Sequence, residues 1–306
     1  MTLNHLRVFA AVAASGQMSA AARELHLSQP AVSQIIAELE QHYSVRLFER
    51  LAKKIYITEE GKKFLEEARR VLVSFEELEY AMLPEKRRHR LRVGSSVTVG
   101  MCVMPEVLKN FAAGMPETEI YSFVNNTETI ESMLLSSELD VAVVEGRVKS
   151  PDLVTERLMD DFTVLFCAAA HPFAKQKTVT LDEACAEYFV MREHGSGTRA
   201  IFEDFVMAHG GKLKIKWEVA CFDATLRAVT EEGCLGVASI RLLAPHLKSG
   251  KVRAICAPHS DWERVFSLTY HRNKYLTDSL KAFIAAARAF DDGPLPDKGQ
   301  MGRLVL

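Results

Sequence analysis

The sequence predicts an α/β protein with three consecutive parts: an N-terminal helix-turn-helix, a long helix, and a larger region of two α/β lobes. Three observations support this prediction. Residues 19–40 contain two helical patterns joined by a turn, residues 59–82 repeat apolar side chains at heptad spacing, and strand-like and helix-like segments alternate from residue 91 onward. At 306 residues the chain is long enough for two or three domains with buried cores.

Two short helices and a turn are predicted near the N-terminus. Ala20, Ala21 and Leu25 repeat at helical spacing, and His26 interrupts the pattern. Ser28 is suited to cap a second helix. The apolar face of that helix consists of Val32, Ile35, Ile36 and Leu39. This order is typical of a helix-turn-helix.

The outer face of the second helix carries the polar side chains of Gln29, Ser33 and Gln34 near its N-terminal end. A glutamine offers a donor and an acceptor to adenine in the major groove, and a serine contacts either a base or a phosphate. Together with the cap Ser28 and the first-turn Pro30, these residues are the predicted DNA contacts of the helix. The pattern alone is equally compatible with helical proteins that do not bind DNA.

The residues around this motif resemble the N-terminal domain of the LysR-type transcriptional regulators. The matching positions are Leu6, Phe9, Val12, Ser15, Gly16, Ala20, Ala21, Leu25, Ser28 to Ala31, Ser33, Leu39, Glu40, Leu47 to Arg50 and Thr58 to Gly61. The resemblance implies a winged helix-turn-helix over residues 1–58, in which the helix from Gln29 enters the major groove. It also implies that the wing contacts the DNA backbone through Arg50, Lys53 and Lys54. Leu51 and Ala52 depart from the polar residues that the family usually has in the wing.

The overall charge does not by itself suggest a DNA-binding protein. The formal net charge is −2, and residues 1–90 carry 14 basic and 12 acidic side chains. Attraction to DNA must therefore be local, from helix N-termini and from a few cations around the wing. The chain contains no run of about eighteen apolar residues and no N-terminal signal-peptide pattern, so we expect a cytoplasmic protein without membrane contact.

Six cysteines are scattered without a C-x-x-C pair, which is typical of reduced, mostly buried thiols. The histidines show no metal-ligand spacing either, so we expect no metal site.

A long helix is predicted from about Glu59 to Met82, within a linker and hinge segment at 59–90 that ends in the charged run 85–90. Its apolar residues lie 4, 3, 4, 3 and 4 positions apart. They are Phe64, Ala68, Val71, Phe75, Leu78 and Met82. Such a seam either packs on the chain's own body or pairs two copies, and we favour a dimer, which implies an interrupted inverted repeat of double-stranded DNA as the target.

Residues 91–306 alternate between strand and helix patterns, which predicts parallel sheets. The family resemblance, weaker here, implies two Rossmann-like lobes hinged by two crossing strands, like a periplasmic binding protein. On this interpretation the first lobe comprises about 91–161 and 266–290, and the second about 162–265. Gly and Pro residues suggest that 291–306 is a loosely held tail.

Three polar loops follow predicted strands, at 94–100, 125–127 and 195–199. Ligands of open α/β sheets bind beyond the carboxyl ends of the strands, and hydroxyls and free backbone N–H groups at helix starts hold small anions. Each serine or threonine by itself is also explained as a helix cap. Three such loops together favour a pocket for an anion or carboxylate.

This part of the chain is similar to the LysR branch that includes regulators of sulfur assimilation and carbon fixation, which respond to small anionic metabolites. The similarity rests on 192–199, Asn126-Thr127 and 144–146. It implies an effector site formed by Ser96, Thr98, Asn126, Thr127, Gly195, Ser196, Gly197, Thr198 and Arg199. Val97 departs from the hydroxyl residue usual in the first loop. The function implied is a homodimeric or homotetrameric transcriptional regulator that works with RNA polymerase, has no catalytic residues, and binds a small anion instead of a cofactor.

Two alternatives remain. Gly195-x-Gly197-x-x-Ala200 fits a dinucleotide-binding loop, with Glu218 as the ribose-binding acid, although Arg192 to His194 lengthen a turn that should be tight. A thiol-redox regulator would use Cys221 and Cys234, since the loop at 194–197 contains no cysteine. A serine hydrolase is excluded because Ser196 lacks the flanking glycines of G-x-S-x-G.

Overall fold

The computed structural model describes residues 1–51, 54–82, 90–257 and 262–306. The chain divides into two compact units, Met1–His89 with Leu135–Glu138, and Arg90–Leu134 with Leu139–Leu306. Within the described ranges, no helix is both long enough and apolar enough to cross a membrane.

The first unit is the predicted helix-turn-helix with a two-stranded wing and the long helix. Its elements are α1 (Leu3–Ser15), α2 (Met18–Glu24), α3 (Gln29–Tyr43), β1 (Phe48–Leu51), β2 (Lys54–Ile57) and α4 (Glu59–Met82). The hydroxyl of Ser28 accepts a hydrogen bond from the Ala31 backbone N–H at 3.3 Å and so caps α3, as predicted. Phe9, Val32 and Leu39 form the centre of the core.

The wing is joined to α3 by a partly buried polar contact and to α4 by the close approach of one glycine. The carboxylate of Glu40 accepts hydrogen bonds from the backbone N–H groups of Leu47 (2.8 Å) and Phe48 (3.1 Å). A Cβ at Gly61 would lie 2.2 Å from the Leu47 carbonyl oxygen, so the first turn of α4 approaches the strand too closely for any other residue. These contacts fix the wing relative to α3 and α4.

The predicted dimer seam of α4 is only partly available to a second copy. Phe64 packs edge-on against Phe9, and Ala68 is buried in the unit's own core, so these two residues serve the fold. Val71 and Leu78 are 49% and 55% exposed. Phe75 lies under the guanidinium of Arg7, and the side chain of Met82 lies outside the described part. The first heptad packs on the chain itself because its residues face α1.

The first lobe of the second unit has a three-stranded parallel core with β3 in the middle. Its strands are β3 (Arg90–Ser96), β4 (Glu119–Asn125) and β5 (Val141–Glu145). Its helices are α5 (Val97–Cys102), α6 (Met104–Gly114), α7 (Thr127–Leu135) and, late in the chain, α12 (Asp278–Arg288). Val93, Val107 and Phe283 pack between the sheet and the helices. The short helix α5 was not predicted.

Two long antiparallel strands connect the lobes, as the family resemblance implies. These strands are β6 (Leu153–Ala168) and β12 (Glu263–His271), which pair from Glu263 opposite Phe162 to His271 opposite Leu153. The register shifts between Phe266 and Ser267, and such an irregularity bends a strand pair. β12 also pairs with β5 in the first lobe, and β6 continues into the second.

The second lobe is a mixed sheet, whereas the alternation of strands and helices predicted a parallel one. β8 is parallel to β9 and β10, whereas β6 is antiparallel to β10 and β11, because β6 enters from the hinge. The strands are β7 (Thr178–Thr180), β8 (Tyr188–Arg192), β9 (Lys214–Val219), β10 (Leu235–Ser239), β11 (Val252–Cys256) and β13 (Gly302–Val305). The helices are α8 (Leu181–Ala186), α9 (Gly197–Ala208), α10 (Phe222–Glu232) and α11 (Ile240–Lys248).

The prediction of a loosely held C-terminal tail is wrong. β13 pairs in parallel with both β11 and β7, and Leu304 is 1% exposed within the core of the second lobe. The short apolar run at 304–305 holds the tail against the second lobe, because it supplies both hydrogen bonds to the neighbouring strands and a buried side chain.

Candidate functional site

The carboxyl end of β5 is the centre of a buried polar cluster between the two lobes. Glu145 ends this strand and is 2% exposed. Its backbone N–H donates to the Ser96 hydroxyl at 3.2 Å, and its carbonyl accepts from the Thr127 hydroxyl at 2.9 Å. The Thr198 hydroxyl, from the second lobe, donates to Glu145 Oε1 at 3.2 Å. Three of the predicted effector residues therefore meet at one glutamate.

A buried arginine, which the sequence analysis missed, completes this cluster. Arg264 lies in β12, and its Nε donates to Asp161 Oδ2 at 2.8 Å. One terminal nitrogen donates to the Thr198 hydroxyl oxygen at 2.9 Å, while the other lies 3.5 Å from Glu145 Oε2. Thr198 thus links the guanidinium and the glutamate, since its oxygen accepts from one and its proton goes to the other. The sequence did offer a sign of this residue, because Arg264 is a charged residue within a largely apolar strand segment.

The electrostatics of the cluster keep the arginine charged. Burial alone would lower the pKa of Arg264, but the nearby carboxylates of Glu145 and Asp161 raise it above its usual value. Burial raises the pKa of Asp161, against the opposing effect of Arg264. Asp161 also accepts a hydrogen bond from the Ser239 hydroxyl at 2.8 Å.

Several buried polar atoms of the cluster, or of residues within two positions of its members in the chain, make no hydrogen bond to the described residues. They are Ser95 Oγ and Ser196 Oγ, together with Glu145 Oε2 and one terminal nitrogen of Arg264, which form an ion pair with each other at 3.5 Å. Ser96 and Ser196 stand immediately before helices α5 and α9, yet neither side chain makes a capping bond. The interpretation of these serines as simple helix caps is therefore not supported by the geometry.

The loop before α9 packs closely on the first lobe. A Cβ at Gly197 would lie 3.0 Å from the Glu145 carbonyl oxygen, so glycine permits this approach. The carbonyl of Gly195 accepts from the Glu128 backbone N–H at 3.4 Å. The Asn126 amide donates to the His194 carbonyl at 3.3 Å, and its oxygen accepts from the backbone N–H of Thr129, so Asn126 caps α7.

Two further predicted effector residues make no hydrogen bond to Glu145, Asp161 or Arg264 among the described residues. Thr98 is buried within α5. Arg199 donates to Glu203 (2.8 Å) and to Glu218 (2.7 Å), so two carboxylates already neutralise its charge. The dinucleotide-binding alternative needs Glu218 to bind a ribose, but in this structure Glu218 accepts a hydrogen bond from Arg199. Arg264, not Arg199, is the cation within the cluster.

The polar residues predicted to contact DNA lie on α3. Gln29 and Pro30 are exposed in its first turn, and Gln34 is exposed one turn later. The Gln34 amide donates to Glu38 Oε1 at 2.9 Å, so base contact by Gln34 requires breaking this bond. Ser33 is half-buried. Of the predicted wing contacts, Lys53 lies outside the described residues, as do the side chains of Arg50 and Lys54.

The thiols show little sign of activation. Burial raises the pKa of Cys102 to about 12 and that of Cys167 to about 11, and it also raises the pKa of Cys234. Cys221 is exposed just before α10. Across the described ranges, no three His, Cys, Asp or Glu residues are grouped to hold a metal ion.

Peroxide treatment of the folded protein is expected to produce no disulfide between Cys221 and Cys234, because Cys234 is buried and its thiol is held protonated. Mass spectrometry of a digest made after alkylation measures this directly, with protein oxidised in denaturant as the control. A Cys221–Cys234 disulfide in the folded protein would instead support the redox alternative.

Two family models match the chain. One is described as the LysR substrate binding domain and matches residues 84–291, and the other is the bacterial regulatory helix-turn-helix protein of the lysR family, matching 3–62. The chain is 29% identical to the uncharacterized HTH-type transcriptional regulator YeiE of Escherichia coli (strain K12), over 93% of this chain and 96% of that one. It is 30% identical to the RuBisCO operon transcriptional regulator of Allochromatium vinosum, over 92% and 94%.

Solved structures share the fold at lower identity. ArgP from Mycobacterium tuberculosis has a TM-score of 0.72 at 18% identity, covering 93% of this chain and 95% of that one. Full-length CbnR complexed with its target DNA has a TM-score of 0.61 at 21% identity, covering 94% and 99%. The Synechocystis PCC6803 CcmR regulatory domain in complex with 2-PG has a TM-score of 0.59 at 22% identity, covering 66% and 96%.

Proposed function

The chain belongs to the LysR family of DNA-binding transcriptional regulators, and on that premise we propose that a small anion bound between the two lobes of its effector-binding domain controls its action on DNA. The anion takes the place of a cofactor, and the proposed function is regulatory rather than catalytic.

One observation carries this proposal. Among the described residues, the hydroxyl of Ser196 is a buried donor without a hydrogen-bond acceptor, and one terminal nitrogen of Arg264 makes no hydrogen bond, only a 3.5 Å ion-pair contact with Glu145 Oε2. Leaving such a donor unsatisfied costs about 1–3 kcal/mol, and more when the group is charged. An anionic oxygen entering between the lobes would satisfy both donors. The regulatory domain of CcmR, which shares this fold, was solved in complex with 2-PG, which supports a small-molecule ligand.

The DNA-binding side of the proposal rests on α3 and on the exposed stripe of α4. We place the N-terminal turn of α3 in the major groove, with Gln29, Ser33 and Gln34 at the base edges and the wing at the backbone. The exposed side chains of Val71 and Leu78 then pair two copies over an interrupted inverted repeat. The proposal includes a homodimer or homotetramer that acts in the cytoplasm and contacts RNA polymerase.

Replacing Ser196 by phenylalanine is expected to abolish the response to the anion while leaving DNA binding intact, because the change removes a buried hydroxyl donor and puts a bulky side chain in its place. Thr98→Phe should act in the same way. The measurement is the rise in melting temperature with added small anions, since a ligand that binds only the folded state raises it. A DNA-binding titration of each variant accompanies it.

Ser249→Phe, an exposed position at the end of α11, provides the matched control and should keep the wild-type response. A Ser196→Phe protein that still responds to the anion would rule out this site. Loss of both anion response and DNA binding would indicate misfolding and would leave Thr98→Phe as the deciding variant.

A further inference from the structure

The charges of the inter-lobe cluster do not suit a simple anion. Among its described residues, Glu145 and Asp161 are buried carboxylates, whereas Arg264 is the fully buried guanidinium. Arg241 lies at the edge of the cluster, with its Nε 3.8 Å from Asp161, and its other nitrogens contact the Asp160 carbonyl and Asp292. An anion entering the cluster therefore meets a negative group as well as a positive one.

The two carboxylates are not equivalent. Both oxygens of Asp161 are satisfied, one by Arg264 and one by Ser239, each at 2.8 Å. Glu145 uses Oε1 to accept from Thr198, but its Oε2 is buried and accepts no hydrogen bond from the described residues. This oxygen lies 3.5 Å from a terminal nitrogen of Arg264, with which it forms an ion pair but no hydrogen bond. The cluster thus places an acceptor and a donor side by side, and a ligand that contacts both could supply the hydrogen bond that each lacks.

We propose that the effector is an oxyanion that carries its own hydrogen-bond donor, which it gives to Glu145 Oε2 while Arg264 and Ser196 bind its anionic oxygen. This proposal rests on the proposed function and specifies the class of ligand. Ligands of this class are hydrogen oxyanions, such as hydrogen phosphate, and small carboxylates with a neighbouring hydroxyl or ammonium group. Glu145 is then the residue that sets specificity.

The physical basis is that a buried carboxylate oxygen favours a ligand that donates a hydrogen bond to it and disfavours one that cannot. An oxyanion without a proton, such as sulfate, would place negative oxygens against Glu145 Oε2 in a site where water does not screen them. A ligand that donates to this oxygen removes the repulsion and makes a charge-assisted hydrogen bond instead. We therefore expect the protein to bind a donor-bearing ligand about ten- to a hundredfold more tightly than its donor-free counterpart.

The test is isothermal titration of the full-length protein with matched probe pairs. Inorganic phosphate is compared with sulfate, and lactate and alanine are compared with propionate. Wild-type protein should bind phosphate, or lactate or alanine, at least about tenfold more tightly than the donor-free member of the pair. The phosphate arm and the carboxylate arm distinguish the two kinds of ligand that share this chemistry.

Glu145→Gln changes the open acceptor into a donor with little change in shape, because the amide oxygen can still accept from Thr198. In this variant the ratio of the affinities for the donor-bearing and the donor-free probe should therefore fall to about one or reverse. The donor-free probe should bind more tightly than it binds the wild-type protein. Glu106→Gln, which removes the same charge from an exposed position on α6, should keep the wild-type preference.

Equal binding of both members of each pair by wild-type protein would overturn the role of Glu145 and leave an anion-controlled regulator in place. An unchanged preference in a folded Glu145→Gln protein would overturn it as well. Absence of binding by every probe would overturn both this inference and the anion site itself.

Discussion

Replacing Arg264 by methionine is expected to lower the free energy of unfolding of the effector-binding unit by about 3–5 kcal/mol and to abolish anion binding. Methionine retains the apolar part of the side chain but leaves Asp161 and Glu145 buried without their cation. Removing one partner of a buried ion pair costs more than the pair contributes, because the remaining charge has no solvent to stabilise it.

Chemical denaturation monitored by circular dichroism measures the loss of unfolding free energy. The pH dependence of that loss identifies its cause. Without Arg264, the folded-state pKa of Asp161, which burial already raises, must rise further. A carboxyl group with a raised folded pKa binds more protons in the folded state, so the deficit should be largest near neutral pH and should shrink as the pH falls.

Arg157→Met is the matched control, because Arg157 forms an exposed surface ion pair that should contribute little. Arg264→Lys should give an intermediate loss, since an ammonium group cannot reach Asp161, Thr198 and Glu145 at once. A loss below about 1 kcal/mol for Arg264→Met would mean that the cluster does not stabilise the interface between the lobes.

Replacing Gln29 by alanine is expected to weaken binding to the specific operator by about 1–3 kcal/mol and to relax sequence preference at one position of each half-site. Gln29 is exposed in the first turn of α3, beyond the Ser28 cap, so the change removes a base contact without disturbing the core. A fluorescence-anisotropy titration with operator and with scrambled DNA separates specific from non-specific affinity.

Gln41→Ala, at the far end of the same helix, should leave operator affinity unchanged, and both variants should keep the wild-type oligomeric state. If Gln29→Ala bound the operator as tightly as the wild-type protein, the N-terminal turn of α3 would not be the part that reads the bases.

Much of the fold follows from local sequence patterns. The helix cap at Ser28, the apolar periodicity of α3 and the alternation of strands and helices after residue 90 are all local, and each predicted the correct element. Short elements such as α5 and β7 carry too few residues to show a period. β13 was missed because only its burial in the second lobe distinguishes it from a polar tail.

The candidate site was predicted only in part, for a related reason. The hydroxyls of Ser96, Thr127, Ser196 and Thr198 lie at or shortly after the carboxyl ends of strands, where the topology places loops of both lobes close to each other. Arg264 and Asp161 are separated by 103 positions in the chain, and no local pattern pairs them. The role of Arg199 could not be decided from sequence either, because its partner Glu218 lies 19 positions away on another element.

The most direct test of a sequence-specific regulator is selection of DNA by the full-length protein from a pool of randomised duplexes, with and without small anions. We expect enrichment of one interrupted inverted repeat, whose half-sites lie on one face of the duplex. The affinity of the protein for the enriched sequence should change when an anion is bound. Failure to enrich any sequence, with binding that depends only on salt concentration, would contradict the central claim.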